Sequence, residues 1–116
     1  PENASAMNIQ EARNKAGQAL SQLKGGADFA QVAASFSDAS DALKGGDLGW
    51  RTSNRIPPLF MNALQTMQPG QNTEIFRSPN GFHILRLIEK RSGDAPIVIT
   101  QTHTRHILIK TSEIFS

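Results

Sequence analysis

Cysteine is absent from the chain, which excludes disulfides, thiolate catalysis and zinc–sulfur sites. That absence fits either the cytosol or an oxidising compartment in which stray thiols are a liability. Long apolar runs are missing too: stretches such as Ile107-Leu108-Ile109 are far too short to cross a bilayer. Charge of one sign is nowhere concentrated. The formal net charge is +2, but Arg13, Lys15, Lys24, Lys44, Arg51 and Arg55 are scattered among acids and only Lys90-Arg91 are adjacent. This is the pattern of a mixed, solvated surface rather than of a nucleic-acid-binding one. No signal peptide is visible, yet the chain starts at Pro1 without Met, so that lack says nothing about export. What is present suffices for one globular domain: 116 residues, 38% hydrophobic and 19% charged, can bury a core.

The single Trp, Trp50, ends the stretch "LKGGDLGW" at residues 43–50. Three glycines there mark backbone that bends where a side chain would clash, and a large aromatic beside them implies that the bend lies against a packed surface. On the N-terminal side, Ile9, Ala12, Ala16, Ala19, Leu20 and Leu23 recur at helical spacing, and "KGG" at 24–26 stops that helix. Asp28 is placed to cap a short helix, "FAQVAASFS", with Phe29, Val32, Ala33 and Phe36 on one face. The polar "DASDALKGGDLGW" reads as loop. Pro57-Pro58 begin a third helix, "LFMNALQTM". Then come β-rich runs: "NTEIFRS", a "PNG" turn and "FHILRLIEK", with Asn80-Gly81 as a hairpin signal. "SGDAP" reads as a linker and "IVITQTHTRHILIK" as one or two more strands. Helix, helix, helix, hairpin, linker, strand is an α+β order with an antiparallel sheet.

"GGDLG" lacks a following Lys-Ser/Thr and a preceding strand, so it reads as a structural turn, not a phosphate loop. Metal binding needs three or more convergent ligands, and the only histidines are His83, His103 and His106. His83 and His106 each precede Ile-Leu within a strand. On spacing alone the plain reading is half-buried strand histidines. Were their strands neighbours, the two imidazoles would meet on one face. No metal and no cofactor is expected.

Taken together and in order, "LKGGADFAQVAASFSD", "GGDLGW", "PPLFMNAL", "MQPGQNTEIFRSPNGFHILRLIEKR" and "HTRHILIK" make a chain that resembles the parvulin family of peptidyl-prolyl cis-trans isomerases. Within the family it is most similar to the first parvulin repeat of a periplasmic chaperone for outer-membrane proteins. The resemblance implies the FKBP-like parvulin fold, a four-stranded antiparallel sheet wrapped by helices. It also divides the chain. Residues 1–92 correspond to a parvulin domain without its opening His-Ile-Leu-Ile strand, 93–103 to a linker, and 104–116 to the opening strand of the following repeat. In this fold the opening strand lies inside the sheet, and leaving its place empty would strand backbone N–H and C=O groups on both neighbours. The expectation is that residues 104–110 fill it, either in cis or by exchange in a strand-swapped homodimer.

The resemblance further implies a prolyl slot built by Leu48, Ile56, Phe60 and Phe82, with Trp50 packed beneath it. His83 and His106 would form a paired imidazole centre oriented by Ser78 and Asn80. Active relatives place Cys or Asp in the loop before "GGDLG"; here that position holds Ala39, with Asp38 and Asp41 nearby. Alanine neither carries charge nor accepts a hydrogen bond, so weak isomerase activity is expected, Asp38 being the adjacent carboxylate. The implied partners are unfolded outer-membrane-protein segments, or other peptides rich in proline and aromatics, together with neighbouring repeats of the same chaperone. The implied location is the periplasm. The other reading is a non-catalytic peptide-binding module.

Overall fold

A computed structural model describes residues 2–92 and 100–111. Its elements are α1 (Glu2–Lys24), α2 (Phe29–Phe36), β1 (Asp47–Thr52), α3 (Pro58–Leu64), β2 (Phe76–Ser78), β3 (Gly81–Ser92) and β4 (Thr100–Lys110). Short 3₁₀ turns at Ala42–Lys44 and Ser53–Arg55 flank β1.

The helices follow their apolar stripes. α1 buries Ala12, Ala16, Ala19, Leu20 and Leu23. Its small residues let the helix lie close to the sheet. α2 starts at Asp28, whose carboxylate accepts the Gln31 N–H at 3.3 Å, and buries Phe29, Val32 and Ala33. α3 has Pro58 in its first turn, where a missing N–H costs nothing. It ends at Leu64, earlier than the apolar spacing suggests, yet Met67 still packs with Leu64 through a turn closed by the Met67 N–H on the Leu64 carbonyl.

All strand pairs are antiparallel, in the order β1-β4-β3-β2. The last strand of the chain therefore lies in the interior of the sheet, between β1 and β3. It begins at Thr100, so positions 100–103, which the resemblance gives to a linker, are strand, in line with the β-rich reading of "IVITQTHTRHILIK". Residues 93–99 and 112–116 lie outside the described residues. The β2–β3 hairpin turns on Pro79 and Asn80, with Ser78 opposite Gly81. Of the "NTEIFRS" run only Phe76–Ser78 is strand, and Asn72 makes an isolated bridge with Arg86.

The period-2 alternation of β3 and β4 sorts side chains onto two faces. Phe82, Ile84, Ile107 and Ile109 pack under α1 and α2. Leu85 and Leu87 pack with Leu64, Phe60, Ala63, Met67 and Phe76 on the α3 side.

β1 pairs only with residues 101–105 of β4, so the rest of that edge needs other acceptors. The loop after α2 supplies them. The His106 N–H donates to the Gly46 carbonyl at 2.9 Å, the Leu108 N–H to Ser37 Oγ at 3.1 Å and the Lys110 N–H to Asp38 Oδ2 at 2.9 Å. In return, the Asp38 N–H donates to the Leu108 carbonyl at 2.6 Å. The loop thus extends the ladder where β1 stops.

Gly46 is indispensable in this arrangement. Its φ is +74° and a Cβ there would lie 2.2 Å from the His106 carbonyl oxygen, so alanine meets both backbone strain and a backbone clash. Gly46→Ala is expected to cost at least about 2 kcal/mol, lowering Tm by roughly 10 °C. Thermal unfolding followed by circular dichroism measures this, and a Tm within about 2 °C of the parent would contradict the close approach.

Candidate active site

The site is assembled from three strands and one helix on the α3 face of the sheet. Phe76 of β2 lies opposite His83 of β3, and Leu85 and His106 are partners between β3 and β4. His83 and His106 therefore sit on one face as diagonal neighbours, two residues apart in register. His83 Nδ1 and His106 Nε2 are joined by a 2.8 Å hydrogen bond. The ring planes are within 17° and their centroids 5.1 Å apart, so the imidazoles meet edge to edge, nearly coplanar. Ser78 Oγ bonds the other nitrogen, His83 Nε2, at 2.6 Å. Ser78 Oγ also accepts the Asn80 backbone N–H at 3.1 Å.

Aromatic rings enclose this polar row. Phe60 of α3 packs against both imidazoles, with centroids 5.3 Å from His83 and 5.0 Å from His106. Phe76 lies nearly parallel to His83 at 5.3 Å and edge-on to Phe60 at 5.8 Å. The imidazoles are almost covered, His83 being 4% and His106 7% exposed.

Burial disfavours their charged forms. It lowers the pKa of His83. It pushes that of His106 down to about 4, with repulsion from His83 as a second cause. At neutral pH both rings are neutral, and each contact in the Ser78–His83–His106 row needs only one proton. A second proton would set N–H against N–H across the 2.8 Å bond.

Ser78, His83, His106 and Phe60 lie together in the structure. Ile56 is buried just after the Ser53–Arg55 turn, and Leu48 is half-buried at the irregularity between Asp47 and Gly49 in the β1–β4 register. Asn80 acts through its backbone on Ser78, not through its exposed side chain.

Phe82 does not belong to the site. As the neighbour of His83 along β3 it points to the opposite face, where it is 3% exposed within the α1–α2 core. Trp50 is not beneath the site either. It pairs with His103, a position of β4 that alternation puts on the face opposite His106. Its ring packs on His103 at 5.3 Å with the Arg91 guanidinium 3.8 Å above it. Asp38 is occupied: its carboxylate holds the Lys110 N–H and lies 3.8 Å from Lys15 Nζ. Ala39 is half-buried in the bend that follows, its N–H on Ser37 Oγ at 3.3 Å.

The residue missed by sequence reasoning is Phe76. Its signal was available: it stands two residues before Ser78, hence on the same strand face.

A second polar pair lies along β4. His103 Nε2 meets Asp47 Oδ1 at 2.8 Å. Burial pushes the Asp47 carboxyl up, but the Gly49 N–H, the His103 ring and the Arg105 charge outweigh it and hold the pKa below the usual 3.8. Among the described residues no group of three or more His, Asp or Glu side chains could hold a metal ion, and no helix is long and apolar enough to cross a membrane.

Comparison with known proteins agrees with this geometry. The family model described as "Rotamase: PPIC-type PPIASE domain" matches residues 1–89, a segment that includes His83 but ends before β4. Over its whole length the chain is 60% identical to the chaperone SurA of Thiobacillus denitrificans and covers 27% of that protein. It is 53% identical to the chaperone SurA of Methylobacillus flagellatus, covering all of this chain and 26% of that one. For the chaperone SurA of Dechloromonas aromatica the identity is 48%, again over the full chain and 26% of the relative. The chain thus spans about a quarter of the length of these relatives. With its α+β architecture, its antiparallel sheet and a match over most of its length, the chain belongs to the PPIC-type, or parvulin, family of peptidyl-prolyl isomerase domains.

Proposed function

We propose that this parvulin domain binds proline- and aromatic-containing segments of unfolded proteins and isomerises X–Pro bonds weakly, as part of a periplasmic chaperone acting on outer-membrane proteins. The observation that carries the reading is the neutral His83–His106 pair held between Phe60 and Phe76.

Isomerisation twists a partly double C–N bond over a barrier of ~18–20 kcal/mol. The twisted amide has lost resonance and carries less charge separation than the planar one, so an apolar, poorly hydrated slot favours it over water. The residues supply that environment. Phe60 and Phe76 line the apolar side, and the resemblance assigns Leu48 and Ile56 to it as well. Ser78 and the two imidazoles satisfy one another, so they hold little water at the slot. Among the described residues, Nδ1 of His106 has no protein partner, which leaves it to steady a group of the bound peptide. No bond to the protein forms and no cofactor takes part.

Ala39 sets the level of activity. Active relatives have Cys or Asp there, and the nearest carboxylate, Asp38, is engaged with β4. Ala39→Asp is expected to raise kcat/KM for a proline-containing tetrapeptide by about tenfold, about 1.4 kcal/mol of barrier. A protease-free isomerisation assay measures it, and an unchanged rate counts against the assignment of this loop to the reacting amide.

The same Ala39 favours a second reading, a binding module with no turnover. An extended client needs only an accessible apolar groove. Peptide titration by NMR beside the rate assay separates the two: shifts at Phe60, His83 and His106 without acceleration identify the module. Absence of peptide-induced shifts at these residues defeats both.

A further inference from the structure

On the sheet face opposite the histidines, two arginines stand directly across from one another. Arg86 of β3 and Arg105 of β4 are register partners, which brings their Cβ atoms to about 5 Å. Alternation puts both on the α1–α2 side, beyond the Ile84–Ile107 row. Both are only half-exposed. Together they line a cavity of about 420 Å³ whose other walls are Leu23, the turn at Gly26 and Ala27, the capping residue Asp28, and the start of α2 at Phe29 and Ala30.

Like charges facing across a strand pair are destabilising, so an uncompensated Arg–Arg pair in a cleft needs a reason. Protein groups do not supply full compensation. Among the described residues, Arg86 Nη1 donates to Asn72 Oδ1 at 3.2 Å. Arg105 Nη1 donates to the Gly45 carbonyl at 3.0 Å and to that of Lys44 at 3.5 Å. These acceptors are neutral and engage one terminal nitrogen of each guanidinium, while each fork carries five N–H donors.

Among the described residues none of the nearby acids forms an ion pair with either arginine, although Asp28 stands in the cavity wall. Asp28 caps α2 through the Gln31 N–H. Glu74 pairs with Lys24 at 3.5 Å. Asp47, which attracts Arg105 weakly, bonds His103 and the Gly49 N–H. Neither arginine has a carboxylate within 4 Å among the described residues.

We propose that Arg86 and Arg105 form an oxyanion-binding site that takes a carboxylate or phosphate group between their guanidinium forks. Planar forks match both oxyanions bidentately, and the cavity has room for the group together with the small molecule or chain segment that carries it. The site is independent of the histidine pair: it lies on the other side of the sheet and uses none of the same side chains.

The test uses the chain as described, titrated with sodium phosphate and with sodium acetate at constant ionic strength set by chloride. The expected result is a saturable set of NMR shifts at Arg86, Arg105 and residues 26–30, with a Kd on the order of millimolar, and an anion-dependent rise in Tm. Saturation by phosphate alone assigns a phosphate ligand, and saturation by acetate alone or by both assigns a carboxylate-type or general oxyanion site. Arg86→Gln carries a second readout. Without anion at low salt it should raise Tm, because it removes like-charge repulsion, and it should abolish the anion-dependent rise. Arg105→Gln should also abolish that rise. No saturable shift with either anion, or shifts that survive Arg86→Gln, would overturn the proposal.

Discussion

A chain ended at residue 99 is expected not to fold. Removing β4 takes Ile107 and Ile109, 0% and 2% exposed, out of the core, each contributing about 1.5–3 kcal/mol by burial alone. It also strips both neighbours of their ladder partners, since β4 pairs with β1 on one side and with β3 on the other. Unpaired backbone groups in a sheet interior cost about 1–3 kcal/mol each. Against a total stability of about 5–15 kcal/mol for a domain, the sum of these losses exceeds what is available. The truncated chain should show a collapsed amide spectrum and no cooperative thermal transition. Adding a synthetic peptide of residues 100–111 should restore dispersion. Dispersed, two-state behaviour of the truncated chain alone would show that the sheet does not depend on β4.

The second large effect is acid destabilisation set by the histidine pair. The His106 pKa is about 4 in the folded chain and about 6.5 in the unfolded one. Above pH 6.5 both states hold the ring neutral. Below it the unfolded chain takes up a proton that the folded chain refuses, so stability falls with pH and the loss is complete near pH 4. A separation of this size corresponds to about 3 kcal/mol. His83, whose pKa is lowered in the same direction, adds to the loss in the same window.

Asp47 behaves differently. Its lowered pKa gives stability that is present above 3.8 and is lost as pH falls through the folded value, so its contribution disappears only after that of the histidines. Denaturant unfolding between pH 7.5 and 4 should show the loss, and His106→Leu should remove most of the slope. A flat profile in the parent chain would mean that the imidazoles accept protons in place, contrary to their burial.

Much of this was legible in the residues. The stripes Ala12-Ala16-Ala19-Leu20-Leu23 and Phe29-Val32-Ala33 are buried as their spacing implies, because a helix against a sheet has one dry side. Asn80-Gly81 and the apolar runs about it announced the hairpin, whose two central residues are Pro79 and Asn80. What local pattern could not tell was which strand face is which. His83 and Phe82 are adjacent and both buried, so period-2 alternation separates them onto opposite faces without saying which faces α3. That is why Phe82 was assigned to the wrong side and Phe76, the cross-strand neighbour of His83, was passed over. Trp50 was misplaced for the same reason, its side being decided by pairing with His103 across β1 and β4.

By itself the sequence determined the helices, the hairpin and the set of residue types from which an apolar site could be made, since these depend on spacing and side-chain chemistry within a few residues. β1, Asp47–Thr52, falls mostly in a stretch read as loop because its strand pairing is made only across the sheet. The interior place of β4 and the meeting of His83 with His106 were expected from the family resemblance and not from any local pattern. That Asp38 serves the ladder was decided by the tertiary structure alone. Those outcomes rest on contacts between residues 23 and 72 positions apart. Backbone pairing and burial choose such contacts for the whole chain at once, and no local run of residues encodes them.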